Sequence, residues 1–310
     1  MSNPQYTIRN YKPQDFDRLV LLYFEADELE STGQGVSPQY IAQRLNRPGY
    51  HAEQDLSIAE TGNSFVGYMD INAELPIKRV IFDCWVHPDH RRRGIATGLL
   101  NSAMSRALQM GAGIAHINIL ESNKVAQLVL PRLGFNYVRR FLELRLDMDR
   151  VRWLDLDQSP LKYRHLKPGE EELLTGIQNS SFTGTWGFSP NTVEDIVFRL
   201  NIGSRSQEDV VLAYDGDNAI GYCWTETASD VTSTTARDIG RISMIGVVPA
   251  FRGQGFGKWV LMGGLVHLKN KGLPAIELTV DSQNQAACSL YQSAGFKVRT
   301  SSFWYERPVN

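Results

Sequence analysis

"PAFRGQGFGKWVL", residues 249–261, sets three glycines, an arginine and a lysine immediately ahead of an apolar run. A glycine-rich turn that opens a helix leaves backbone N–H groups bare, and such a turn is a receptacle for phosphate. Three loop chemistries compete for Gly253, Gly255 and Gly257. A magnesium-holding phosphate loop needs serine or threonine after its glycine–lysine pair, yet Gly257-Lys258 is followed by Trp259. A dinucleotide fingerprint needs glycine where Lys258 stands and an acid about 20 residues on, ending a strand. Glu277 lies near that distance but inside its strand, which argues against this reading. What remains is Arg-x-x-Gly-x-Gly/Ala between a strand and a long helix.

The same pattern occurs again in "PDHRRRGIATGLL", residues 88–100. Shifting the chain by 161 residues aligns the two stretches without a gap, with ten identities over fifty positions. Val86, Pro88, Arg91 and Gly94 fall on Val247, Pro249, Arg252 and Gly255, and Gly134-Phe135 falls on Gly295-Phe296. Most of these identities are glycine, proline, arginine or asparagine, residue types constrained by backbone geometry or ligand contact. The openings "IRNYKP" (8–13) and "YRHLKP" (163–168) echo each other as well. Two copies of one domain are therefore expected, 1–150 and 151–310, joined through the charged stretch "DMDRVRWLDLDQSP". Each copy reads as mixed α/β. A hairpin turns at Asp215-Gly216-Asp217-Asn218, "RISMIGVV" forms an apolar strand stopped by Pro249, and helical spacing follows in "GKWVLMGGLVHLKNKG".

With 42% hydrophobic and 21% charged residues the composition is globular, and a net charge of −2 argues against a nucleic-acid partner. Cys84, Cys223 and Cys288 are sparse and lack CxxC spacing, as expected of reduced thiols in the cytoplasm. Neither an export signal nor a membrane-spanning run is expected. The histidines offer no metal-ligand spacing, so no metal is expected.

The loop, the downstream Asn-x-x-Ala and the Gly-Phe pair, present twice at fixed spacing, resemble the GCN5-related N-acetyltransferases (GNAT). The resemblance implies two tandem GNAT-type domains, each an α/β fold with a mostly antiparallel mixed central sheet flanked by helices. It implies acetyl-CoA as co-substrate. The pyrophosphate would sit on Arg252, Gly253, Gln254, Gly255, Phe256, Gly257 and Lys258, and in the first copy on Arg91, Arg92, Arg93, Gly94, Ile95 and Ala96. The strand before the loop would part from its neighbour, so that backbone around Val247 and Val248, and around Val86, would pair with pantetheine. Asn284 would contact the pantetheine arm.

The implied reaction is attack of a primary amine, on a small molecule or a peptide, upon the acetyl thioester. Tyr291 matches the family tyrosine that protonates the departing thiolate. The first copy has Leu130 there, which has no proton to give, so catalysis is expected of the C-terminal copy. The C-terminal copy is also similar to the mycothiol synthases, tandem members that acetylate a cysteinyl pseudodisaccharide. In those enzymes a base carboxylate is expected near the start of the strand leading into the loop. That place holds Gly240-Arg241 here, with Asp238 the nearest acid, and Glu226, Glu277 and Asp281 as further candidates. Phe182, Trp186 and Phe188 would wall the acceptor site. The alternative is a non-catalytic acyl-CoA-binding sensor or interaction protein.

Overall fold

The computed structural model describes residues 6–30, 37–203, 205–227 and 239–310. The chain forms two compact units, residues 1–139 with 302–310, and residues 140–301. In chain order the first half supplies β1 (Thr7–Asn10), α1 (Phe16–Glu30), α2 (Pro38–Leu45), α3 (Ala52–Asp55), β2 (Leu56–Thr61) and β3 (Ser64–Glu74). It continues with β4 (Arg79–Val86), α4 (Ile95–Gln109), β5 (Ile114–Leu120), α5 (Lys124–Arg132) and β6 (Asn136–Asp147). The second half repeats the series as β7 (Lys162–His165), α6 (Glu171–Phe182), α7 (Val193–Asn201), β8 (Val210–Asp215) and β9 (Asn218–Thr227). It ends with β10 (Ile239–Val247), α8 (Phe256–Asn270), β11 (Ala275–Asp281), α9 (Gln285–Ala294) and β12 (Lys297–Pro308).

In the first unit β1 to β4 pair antiparallel in order, and β4 then pairs parallel with β5. The second unit does the same with β7 to β10 and then β11. Both β2–β3 and β8–β9 are joined by two-residue turns with Gly62 (φ 56°) and Gly216 (φ 57°), the left-handed geometry that tight hairpins demand. Alternating apolar residues build two cores per unit. In the second unit Leu261, Leu265 and Leu268 of α8 and Tyr291 of α9 meet one sheet face. Leu174, Ile177, Ile196 and Leu200 of α6 and α7 meet Tyr222 and Trp224 on the other. The first unit packs α4 and α1 on opposite faces in the same way.

The last strand of each series departs from a division at residue 150. Residues 141–147 of β6 pair antiparallel with β11, so they complete the second unit's sheet. Residues 302–308 of β12 pair antiparallel with β5 and complete the first. Apolar burial fixes this arrangement: Leu144 and Leu146 enter the core beneath α8, and Tyr305 enters the core beneath α4. A fully buried leucine contributes about 1.5–3 kcal/mol relative to exposure, so the exchange is strongly held.

A buried carboxylate pins each unit at the start of its hairpin. Asp55, 1% exposed, accepts from Arg106 Nε on α4 at 2.8 Å and from the His51 N–H at 2.8 Å. Asp209 accepts from Lys271 and from the Ser206 N–H at 2.8 Å. Burial works against the charge of Asp209, but these hydrogen bonds outweigh it and hold the carboxyl down to about 2. His267 Nε2, 3.9 Å away, adds its pull to those of Lys271 and the Ser206 N–H. A lowered carboxyl stabilises the fold above its ordinary value near 4, and the gain is lost as pH falls toward 2. Asp209→Asn should therefore cost about 2 kcal/mol at pH 7. In urea titrations the gap from the parent protein should close below about pH 4; a gap constant with pH would refute the ion-pair account.

Candidate active site

The parallel ladder between β10 and β11 has four pairs, the last being Ile242 with Leu278. Both strands run on past it, to Val247 and Asp281, so a gap opens between them. A bulge between Ile242 and Met244 adds a residue to β10 against β9 and re-aims the strand at that point. The first unit parts likewise: β4 and β5 pair from Arg79–Ile114 to Phe82–Ile117 and no further.

The Val248 N–H is donated to Ile220 O of β9 at 2.9 Å. Alternation along an antiparallel strand then turns the backbone of Ile245 and Val247 toward the gap. Val247 thus turns its backbone toward the gap, whereas the donor of Val248 is spent inside the sheet. His87 bonds Val66 O in the same way at 2.9 Å, which leaves Val86 facing the first gap.

The strand ends in the glycine loop. Gly253 (φ 76°) and Gly255 (φ 80°) are both left-handed, and Gly255 caps α8 with no side chain. The first N–H groups of α8 are therefore bare, at the positive end of the helix dipole. The first unit reproduces the geometry with Gly94 (φ 85°) capping α4 and Arg92 (φ 63°) in place of Gly253. A side chain at Gly257 would meet Leu290 Cδ2 at 3.5 Å, an ordinary contact, so this place has room for an alanine such as the one at the matching Ala96.

Several side chains stand elsewhere than a phosphate-facing role requires. Arg252 donates through Nε to Val247 O at 2.9 Å and through a terminal nitrogen to Ser181 O of α6. Arg91 likewise donates to Val86 O at 2.9 Å, and Arg93 to Asp89 O at 3.2 Å. Arg252 and Arg91 thereby lock the strand ends, because carbonyls at a parted strand have no ladder partner. Ile95 is a core residue, and Phe256 packs against Phe251 at 6.3 Å. Gln254 Nε2 bonds Ala250 O at 3.2 Å. Lys258 is exposed at the mouth of α8, with Nζ 5.4 Å from the Trp259 ring. Asn284 caps α9, its Oδ1 accepting from the Ala287 N–H at 3.1 Å, as Asn123 caps α5 at 3.0 Å.

Tyr291 is buried on α9, edge-on to Phe296 at 5.7 Å. Burial chiefly, then the neighbouring thiols of Cys223 and Cys288, push its phenol well above its ordinary value, so it keeps its proton at neutral pH. Leu130 fills the matching place in the first unit, with Pro131 inside the helix. Of the expected carboxylates, Glu226 is paired with Arg205 at 3.0 Å, and Glu277 with Arg299 and with Arg145 at 3.4 Å. Asp281 holds a turn through the Gln283 N–H at 2.9 Å, and Asp238 lies outside the described residues. Trp186 packs on Phe141 of β6 at 5.9 Å, and Phe182 on Phe188 at 5.4 Å. Phe141 was not foreseen, because repeat logic assigns its strand to the other copy. Among the described residues no three His, Cys, Asp or Glu side chains gather as a metal site, and no helix is long and apolar enough to cross a membrane.

The family model described as "Acetyltransferase (GNAT) family" matches residues 21–135 and again 172–296. The chain belongs to this family. It is similar to a mycothiol acetyltransferase of Renibacterium salmoninarum, 30% identical over 229 residues, covering 72% of this chain and 66% of that one. That alignment spans just under two thirds of the relative. A mycothiol acetyltransferase of Streptomyces coelicolor is 24% identical, covering 96% of this chain and 94% of its own. Among solved structures a tandem GNAT protein from the clavulanic acid biosynthesis pathway aligns with a TM-score of 0.71 at 14% identity, covering 98% and 99% of the two chains.

The duplicated GNAT loop differs in one strained residue. A non-glycine residue in the left-handed region costs roughly 1–2 kcal/mol. Arg92→Gly should raise the urea midpoint of the first unit by an amount equal to about 1 kcal/mol, less the entropy glycine adds to the unfolded chain. A lowered midpoint would show that the Arg92 side chain contributes more than its backbone costs.

Proposed function

We propose that this protein transfers acetyl from acetyl-CoA to a primary amine of a small molecule, with catalysis in the C-terminal unit. GNAT acetyltransferases use acetyl-CoA, so the donor follows from the family. The observation that carries the assignment to one unit is Tyr291, a buried neutral phenol in the core that β10, β11 and α8 share, against Leu130 in the other. Pyrophosphate on the bare N–H groups of Gly255 to Gly257, with Lys258 beside them, would send pantetheine along the gap edge of Ile245 and Val247. The same edge offers an N–H to the thioester carbonyl as charge builds on its oxygen. The amine attacks, the C–S bond breaks, and the thiolate takes the Tyr291 proton.

Relatives named mycothiol acetyltransferase support a cysteinyl pseudodisaccharide amine as the first acceptor to try. We infer that the N-terminal unit holds acetyl-CoA on the backbone of the Arg91–Ala96 loop, where Gly94 opens α4, without turning it over. A non-catalytic sensor would keep both sites and need no phenol, which makes Tyr291 the discriminating residue.

Two measurements bear on this reading. Gly255→Asp places a carboxylate at the helix mouth and should abolish the thermal stabilisation that acetyl-CoA gives the C-terminal unit; undiminished stabilisation would move the loop assignment elsewhere. Tyr291→Phe keeps the ring, so acetyl-CoA affinity should hold while kcat for thiol release falls about 10²–10⁴-fold. A Phe variant with full rate would leave the sensor reading, or another acid, in possession of the site.

A further inference from the structure

We propose that Glu143, carried by the strand that closes the N-terminal repeat, is the general base of the C-terminal unit. The proposal rests on the reading of that unit as the catalytic one. Glu143 pairs in register with Thr279, the first residue of β11 beyond the last β10–β11 pair. It therefore sits at the fork where the two strands part. Leu278 and Val280 face α8 and α9, whereas Thr279 and Glu143 share the opposite face. Tyr291 belongs to the core on the first side, with Leu278 and Val280, so that side is closed by packing and an amine has to arrive from the second.

The carboxylate is oriented by a relay. Arg241 on β10 donates to Thr279 Oγ1 at 2.7 Å, occupying a lone pair of that hydroxyl. The single hydroxyl hydrogen of Thr279 is then shared between Glu143 Oε1 at 3.0 Å and Oε2 at 2.9 Å. Arg241 itself stays 3.9 Å from Glu143 Oε2. The other carboxylates of this face are held more closely, Glu277 by Arg145 and Arg299, Glu226 by Arg205 and Asp281 by its turn, whereas the Arg241–Glu143 ion pair is looser. Glu143, 22% exposed, is held at hydrogen-bond distance by a neutral hydroxyl and keeps lone pairs open toward solvent. Charged groups around it are Arg145 on its own strand, Arg241 on β10, and Glu277 and Asp281 on β11, with Arg299 of β12 bound to Glu277.

In the step assigned to it, the N–C bond forms as the C–S bond breaks. The surplus proton of the amine nitrogen passes to Glu143, directly or through one water, and the Tyr291 proton goes to the CoA sulfur. Solvent then returns the proton of Glu143 to the phenolate, and amide and CoA thiol leave.

The test measures thiol release from acetyl-CoA by the full chain, with the S-methylated cysteinyl pseudodisaccharide as amine and with water alone. Glu143→Gln should lower kcat about 10²–10³-fold, with KM and acetyl-CoA stabilisation within about threefold of the parent. Its rate should climb tenfold per pH unit where the parent rate has levelled off, because only free amine remains to drive the step. Glu143→Asp should keep the levelled profile at about tenfold lower rate, and it serves if the Gln variant loses acetyl-CoA stabilisation and so fails to fold. Thr279→Val, which frees the carboxylate to turn, should lower kcat about tenfold without altering KM. A Gln variant, or failing that an Asp variant, with the parent rate and pH profile overturns the proposal alone. A parent protein that releases no thiol with either nucleophile overturns the transferase reading first, and this assignment with it.

Discussion

Four backbone pairs hold β10 to β11 and then the strands part, leaving peptide groups inside a sheet with no partner. Unpaired backbone polar groups are costly unless water or a ligand meets them, so the gap has to be propped open by something stronger. Two devices do this. The bulge at Ile242–Met244 turns β10 aside, and Arg252 binds the carbonyl of Val247 and that of Ser181, tying the far end of the strand to α6. The glycine loop, the bare mouth of α8 and the buried phenol all take their positions from the strand so fixed. In the first unit Arg91 on Val86 O makes the corresponding tie.

The duplication is close in its backbone constraints, the bulge of β10 apart, and loose in its side chains. Arg9 forks onto Asp15, which also takes the Lys12 N–H; Arg164 forks onto Glu170, which also takes the Lys167 N–H. These pairs are what the echo between "IRNYKP" and "YRHLKP" encodes. One divergence lies where the strands part. Trp85 fills with its own indole the place that Gly246 leaves empty on β10, and there Ser181 of α6 comes so close that a Cβ would meet it at 2.7 Å. One unit supplies bulk from the strand and the other from the helix, and only the second has Tyr291 below.

The loop, the hairpin at Asp215 to Asn218, the long helix after the loop and the repeat itself were legible in the sequence because glycine, proline and apolar period report local geometry directly. The roles of individual loop side chains were not. A motif arginine looks like a phosphate ligand until the carbonyl of Val247 is seen beside it, and Asn284 looks like a ligand until it is seen capping α9. Val248 and Val247 are alike as sequence, and one hydrogen bond to Ile220 separates their edges. Least legible were Phe141 and Glu143. Nothing local in "FLELRLDM" tells whether that strand joins the sheet its repeat began or the next one, because pairing between distant strands leaves no trace in spacing.

The exchange of closing strands has a bearing on how the molecule is made. The second unit is a continuous stretch, 140–301, and its sheet can close as soon as β11 meets the β6 residues already synthesised. The first unit has to wait for residues 302–308 to cover β5, and at ordinary translation speed that delay is on the order of ten seconds. During it, the outer edge of "IAHINIL" is an open invitation to a passing strand. The domain that emerges first from the ribosome is thus the one finished last, and its vulnerable interval is set by the length of its own sister domain.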